Sequence, residues 1–291
     1  MAGPRILVFG RTGQLAQSLA AAPWPAAATV TALGREEADL AQPASLGAVV
    51  AAHAPDLVVI AAAHTAVDKA ETEEALATLI NGEAPGVIAD AAARRGAPVI
   101  HVSTDYVFDG NIPVPYTEYD TPSPASAYGR SKLAGEKAAL TWPGTMIIRT
   151  SWLYSSYGNN FVKTILRKAG SSHDISVVFD QVGSPTYAAD LANAIMEIIS
   201  GVIRNKHNFV PGIFNYSNEG VCSWYDLAIE IIREAGSQCS VIPVRSSAWP
   251  SKVKRPAYSV LDKTRIKESF NLTIPHWRTS LNNCISKINR I

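Results

Sequence analysis

The stretch RILVFGRTGQLA, residues 5–16, decides the fold. RILVF is a short apolar run that ends at Gly10, and QLAQSLAAA follows it with helical character. A strand that turns through glycines into a helix is the fingerprint of a dinucleotide-binding βαβ unit. Gly10 permits the tight turn, Gly13 lets backbone approach a pyrophosphate, and Ala16, a small third residue, allows close helix–strand packing. The helix N-terminus adds free amides and the positive end of a dipole, which suit phosphate. Thr12, Gln14 and Leu15 share this turn and count with Gly10 and Gly13 as cofactor-binding positions.

Outward from the turn, apolar runs alternate with helical segments. ATVTAL (28–33), PDLVVIAAA (55–63), APVIHVS (97–103) and GTMIIRTSWLY (144–154) read as strands. TEEALATLINGEAPGVIADAAARRG (72–96), interrupted around Gly82 and Pro85, and SAYGRSKLAGEKAAL (126–140) read as helices. This alternation implies right-handed crossovers and a parallel sheet. The strands are apolar throughout, as expected where both faces of a sheet are covered. The fold class is α/β: a doubly wound, Rossmann-like parallel sheet with a smaller α/β substrate-binding domain. Residues 1–152 form the dinucleotide-binding domain, rejoined by about 188–202 and 213–219, and 153–291 are mainly the small domain. Composition shifts near Thr145, from alanine-rich to rich in Ile, Asn, Ser and Lys; a domain boundary, mixed ancestry and a hybrid chain all leave that mark.

Composition excludes several function classes. A hydrophobic content of 47% with 18% charged residues fits a globular protein rather than a disordered one. The formal net charge of +1 gives no electrostatic footprint for nucleic acid. No apolar run is long enough to span a membrane, and the run after MAGPR is too short for a signal peptide. Cys222, Cys239 and Cys284 are too few and too far apart for a disulfide framework or a metal site, so a reducing, cytoplasmic setting is expected.

The second strand usually ends in an acid that takes the adenosine ribose hydroxyls. Here TALGREEADL offers Gly34 and Arg35 instead. A guanidinium suits a 2′-phosphate, so NADPH is favoured and NADH stays open; a solvated loop arginine is the plainer reading. Asp39 and Leu40 lie where an adenine is edged. HVSTDYVFDG ends a strand at its carboxyl edge, where such sheets hold ligands, and offers Ser103, Thr104 and Asp105. Tyr128 and Lys132 share a helix face. A free tyrosine titrates near ~10. A neighbouring ammonium and an oxidised nicotinamide lower that value, so Tyr128 can give a proton to a carbonyl oxygen that Thr104 orients. A Tyr and a Lys four apart are ordinarily surface residues; the glycine turn upstream makes them a candidate catalytic pair.

GRTGQLA, AAAHTAVDKAE, STDYVFDG, SAYGRSKLAGE, RTSWLY, GNNFV, DQVGSPTYAADLA and RPAYSVLD together carry a resemblance over nearly the full length. The chain resembles the extended short-chain dehydrogenase/reductases, and within them the dTDP-4-dehydrorhamnose reductase family. STDYVFDG and DQVGSPT are the more specific motifs. The resemblance implies an enzyme that reduces the C4 keto group of dTDP-4-dehydro-L-rhamnose to dTDP-L-rhamnose with NADPH or NADH. It implies Tyr128 as proton donor, Lys132 on the nicotinamide ribose, Thr104 and Asp105 at the sugar, and Trp152 as a wall of the sugar pocket. It further implies Asn160 at the nucleotide diphosphate, Ala61, Ala62 and Ala63 along the cofactor diphosphate and ribose, and Val102 at the cofactor. Asn81 resembles the helix asparagine that supports the lysine through water. Relatives include magnesium-linked homodimers; the acids of that contact have no secure match here, and no metal ligand is assigned.

Other residues keep two readings. His64 and Asp68 form a base and its orienter, or a site edge and a helix start. Arg255 pairs with a phosphate or belongs to a surface salt bridge. In the rigid, Pro-rich loop PVPYTEYDTPSP, Tyr116 and Glu118 are expected to face the site. Trp224 and Trp249 read as packing residues. A reductase or epimerase of another nucleotide sugar, and a non-catalytic regulatory subunit like that of methionine adenosyltransferase, are the competing functions. The intact Thr104, Tyr128 and Lys132 set argues for turnover.

Overall fold

A computed structural model describes residues 3–204, 208–248 and 253–290; Trp249 lies outside the described residues. Strands β1 (Arg5–Phe9), β2 (Thr29–Leu33), β3 (Leu57–Ile60), β4 (Val99–Thr104) and β5 (Thr145–Thr150) alternate with helices. The helices are α1 (Gln14–Ala20), α2 (Pro43–His53), α3 (Val67–Ala70), α4 (Glu74–Thr78), α5 (Ala84–Ala93) and α6 (Ala127–Ala139). Then follow β6 (Leu153–Tyr154), α7 (Phe161–Ala169), β7 (Asp174–Val178), β8 (Val182–Gly183), β9 (Thr186–Tyr187) and α8 (Ala188–Ile203). The chain closes with β10 (Gly212–Tyr216), β11 (Cys222–Ser223), α9 (Trp224–Glu234), β12 (Ser240–Val244), α10 (Thr264–Phe270) and α11 (Trp277–Ile288).

The main sheet has the order β10-β5-β4-β3-β1-β2, with every pairing parallel. Successive side chains of a strand point to opposite faces. On β1, Ile6 and Val8 join Leu191 and Ile195 of α8, while Leu7 and Phe9 join Leu46 and Val50 of α2 and Ile88 of α5. Both faces are therefore apolar, which is why the strand sequences do not alternate. The chain returns to this sheet late, with α8 against one face and β10 paired to β5. A separate core joins α7, α9 and α11 to β7 and β12 through Val162, Ile165, Ile231, Val241, Trp277 and Leu281. Among the described residues, no helix is long and apolar enough to cross a membrane.

Four local features depart from the sequence expectation. The helical stretch around Gly82 and Pro85 is not broken: a π-helical turn, Leu79–Glu83, joins α4 to α5. Pro85 follows that turn, at the start of α5. The strand expected over 144–154 stops at Thr150, because Trp152 turns to φ +47°. Helix α2 escapes a periodicity reading because small apolar residues run along it, PASLGAVVAAH. Strand β12 carries Pro243 in its middle, which is tolerated because its sheet with β7 has only two strands.

Candidate active site

A cleft of about 670 Å³ opens over the carboxyl ends of β1 to β5. It sits where the strand order reverses between β1 and β3, the position at which doubly wound sheets hold ligands. The glycine-turn residues, Arg35, Asp39, Leu40, Ala61 to Ala63, Val102, Thr104, Asp105, Tyr128, Lys132, Trp152 and Asn160 line it; Asp68, Asn81, Tyr116, Glu118 and Arg255 do not. The floor is backbone. Gly10 has φ +116°, a conformation that favours glycine, and a Cβ there would stand 3.1 Å from the Ala62 nitrogen. The amides of Ala61 and Ala62 both donate to the Phe9 carbonyl, at 3.0 and 2.8 Å. Gly13 precedes α1 without a side-chain cap, and a Cβ built on it meets nothing within 4 Å. That open, backbone-lined floor fits a dinucleotide diphosphate.

The polar groups gather at the ends of β4 and α6. Ser126 caps α6 through Gly129, fixing the first turn that carries Tyr128. The Tyr128 ring meets Tyr106 edge-on at 5.6 Å and contacts the Thr104 hydroxyl. Thr104 donates to Asp105 at 3.0 Å and accepts from the Tyr106 amide. Burial pushes the Asp105 carboxyl up to about 6, against hydrogen bonds from Ser259 and Thr104.

Lys132 is buried one turn beyond Tyr128. Its Nζ donates to the Val102 carbonyl at 2.7 Å and lies 3.4 Å from Nε2 of His101, whose imidazole burial holds neutral. Burial pulls Lys132 down to about 8, and the carboxylate of Glu136 opposes that shift. These observations correct one part of the sequence argument. The Tyr128 phenol is raised, not lowered: burial dominates, the charges of Asp105 and Tyr106 add to it, and only the Thr104 hydrogen bond opposes them. A raised phenol keeps its proton, which is the state a general acid needs.

The end of β2 holds a residue that sequence reading missed. Arg11, inside the glycine turn, donates to Glu37 at 2.6 Å and to Glu36 at 2.9 Å. A Cβ on Gly34 would collide with its guanidinium, so the glycine at the end of β2 makes room for Arg11. Arg35 is 80% exposed and only 3.9 Å from Asp39, a loose contact. A basic residue within GRTG was the available signal. Arg11→Ala is expected to reduce the preference for NADPH over NADH by about tenfold, the weight of one charge-assisted bond. Arg35→Ala should change it less. Dissociation constants for both cofactors measure this, and unchanged ratios in both variants would remove the 2′-phosphate role from this edge.

Other expected residues have different surroundings. His64 and Asp68 do not pair with each other: His64 meets Glu73 at 3.2 Å at the cleft edge, and Asp68, in the first turn of α3, binds Arg255 at 2.9 Å. Arg255 lines a separate cavity of about 360 Å³ beside Asp180 and Lys254. Asn81 clamps the His64 backbone through both amide atoms and donates to Ser131 of α6. Asn160 caps α7 and donates to Gln14 at 2.9 Å, which sets it beside the glycine turn. Tyr116 and Glu118 do not face the site: Tyr116 is stacked on Phe108 and bonded to Asp109, and Glu118 accepts from the amide of Asn215 on β10.

Residues 4–290 match the family model described as RmlD substrate binding domain. The dTDP-4-dehydrorhamnose reductase of Sinorhizobium fredii is 42% identical over 281 residues, covering 95% of each chain. A probable dTDP-4,6-dihydroxy-2-methyloxan-3-one 4-ketoreductase of Streptomyces antibioticus is 39% identical, over 95% of this chain and 93% of its own. The solved dTDP-4-dehydrorhamnose reductase of Bacillus anthracis in complex with NADP superposes with a TM-score of 0.91 at 35% identity, over 98% of this chain and 99% of its own.

Proposed function

The chain belongs to the RmlD substrate binding domain family, and on that premise we propose that it reduces the C4 keto group of dTDP-4-dehydro-L-rhamnose with NADPH, giving dTDP-L-rhamnose. The observation that carries this reading is the meeting of Thr104, Asp105, Tyr128 and Lys132 in one cleft with the glycine turn. We assign the cofactor to residues 1–152 with α8 and β10, the sugar ring to Thr104, Asp105, Tyr128 and Trp152 at its edge, and the nucleotide of the substrate mainly to the rest.

Bound NADPH supplies the hydride, and the step needs no metal. Everything else falls to the chain. The Thr104 hydroxyl orients the C4 oxygen, and Tyr128 releases its phenolic proton to that oxygen as negative charge develops on it. Lys132 holds the nicotinamide ribose from the β4 side. Asp105 accepts sugar hydroxyls, and Trp152 covers the ring. A second reading, another dTDP-4-keto sugar as substrate, is favoured by the likeness to the Streptomyces ketoreductase.

The test is the purified protein with NADPH and dTDP-4-dehydro-L-rhamnose, following loss of absorbance by the reduced cofactor. No oxidation at any pH would sink the reading, and slow turnover beside fast turnover of another dTDP-4-keto sugar would favour the second. The same assay has an expected pH dependence, since kcat/KM reports groups of the free enzyme. Asp105 must be ionised to accept sugar hydroxyls, so activity falls as pH drops through about 6, the value to which burial raises its carboxyl. Lys132 must be protonated to hold the ribose, so activity falls as pH rises through about 8, where burial has brought it. Asp105→Asn should remove the acidic limb; a limb that persists assigns it to another group.

A further inference from the structure

Trp152 stands in a conformation its own side chain disfavours. At φ +47° it lies in the left-handed region, which a bulky residue disfavours and which persists only when the surroundings over-determine it. Two pieces of chain do so here, residues 183–186 and the start of α9. The backbone on either side is pinned: Ser151 Oγ donates to the Ser184 carbonyl at 2.7 Å, and the Trp152 carbonyl accepts from the Thr186 amide at 3.2 Å. The indole lies flat on Trp224, with centroids 3.6 Å apart and planes within 8°. Gly183 supplies the space: a Cβ there would fall 2.6 Å from the indole Cε2. Gly183 does not have positive φ, so the glycine is needed for room and not for conformation.

These pieces are held to one another. Strands β8 and β11 pair Gly183 with Cys222 and Val182 with Ser223, which brings the start of α9 beside Gly183. Ser223 and Asp226 form a reciprocal capping box, so Trp224, the first residue of α9, is fixed at its backbone. Phe161 of α7 packs against Trp224 at 4.6 Å. Trp152 lines the cleft, whereas Trp224 and Gly183 do not.

We propose that Trp224 and Gly183 are positioning residues for Trp152, the indole assigned above to the substrate's deoxyhexose ring. The inference rests on the function proposed above. A 6-deoxy sugar presents C–H groups and a methyl, and a rigid aromatic wall is the surface that gains from covering them. The start of α9 thereby takes part in choosing the sugar without touching it.

The experiment measures KM for the keto sugar, kcat, and the dissociation constant for NADPH. Trp224→Leu is expected to raise KM by about tenfold, the weight of one aromatic pair, with the NADPH constant within about twofold of the parent. Trp224→Phe should keep most of the affinity. Gly183→Ala should raise KM with Trp224 intact. On a Trp152→Ala background neither substitution should add anything, because both act through the indole. Unchanged KM in Trp224→Leu and Gly183→Ala, or effects that add in full on the Trp152→Ala background, overturn the inference. If Trp224→Leu does not fold, Trp224→Phe and Gly183→Ala decide by the same criteria. A parent protein with no turnover of any dTDP-4-keto sugar removes the functional reading itself, which separates the two failures.

Discussion

Tyr128→Phe is expected to bind NADPH as the parent does and to reduce the dTDP-4-keto sugar roughly 10²–10⁴-fold more slowly, the weight of one positioned proton donor. The substitution removes a single oxygen. The ring stays among Ala70, Ala77 and Ala127, and its edge contact with Tyr106 remains. Thr104 keeps Asp105 and the Tyr106 amide as partners, so no buried group is stranded. Stability should therefore change little, and the loss should fall on kcat. The raised phenol sharpens the expectation. It is protonated throughout the working range, so the parent rate carries no limb from Tyr128 itself. Single-turnover rates and NADPH titrations of both proteins check this. A variant as fast as the parent would show that the proton comes from elsewhere.

The parts of this site that the sequence made legible are those encoded locally. The glycine turn needs only its own residues to specify close backbone approach, and a Tyr and a Lys one turn apart must share a helix face. Apolar runs alternating with helices imply a parallel sheet before any contact is known. What was hidden depends on partners distant in the chain. Lys132 meets a main-chain carbonyl on β4, and main-chain groups leave no mark in a residue string. Its place one turn from Tyr128 suggests a lowered phenol, but burial, a property of the assembled fold, raises it, and only the Thr104 hydrogen bond acts the other way. Tyr116 and Glu118 looked like site residues because their loop is polar and close in sequence; instead they bind Asp109 and β10. Arg11 acts through its side chain, which reaches the end of β2, and that contact depends on Gly34 and Glu37, both distant from it in the chain.

Arg149→Met is expected to cost about 3–5 kcal/mol of stability, the largest loss foreseen for a residue outside the cleft. Arg149 of β5 and Glu136 of α6 are 1% and 2% exposed. Two bonds of 2.7 and 2.9 Å join them, Ser103 adds a third to the same carboxylate, and the guanidinium lies 5.0 Å over the Phe108 ring. Truncating the arginine leaves a carboxylate buried against the sheet with one hydroxyl for company. The midpoint of thermal unfolding should fall by on the order of 10 °C. Arg149→Met with Glu136→Leu should recover most of that loss, because an apolar pair of similar volume needs no desolvated charge. A single variant as stable as the parent would show that water or rearrangement relieves the carboxylate. The pair also reaches the chemistry. Glu136 is the charge that holds up the Lys132 ammonium against burial. With Arg149 gone, its field is no longer neutralised, and the basic limb of kcat/KM should move above about 8. In the double variant that field is absent, and the limb should fall below the parent's. Opposite shifts from two proteins that differ only at position 136 would tie the buried pair to the lysine directly, whatever the stability measurements return.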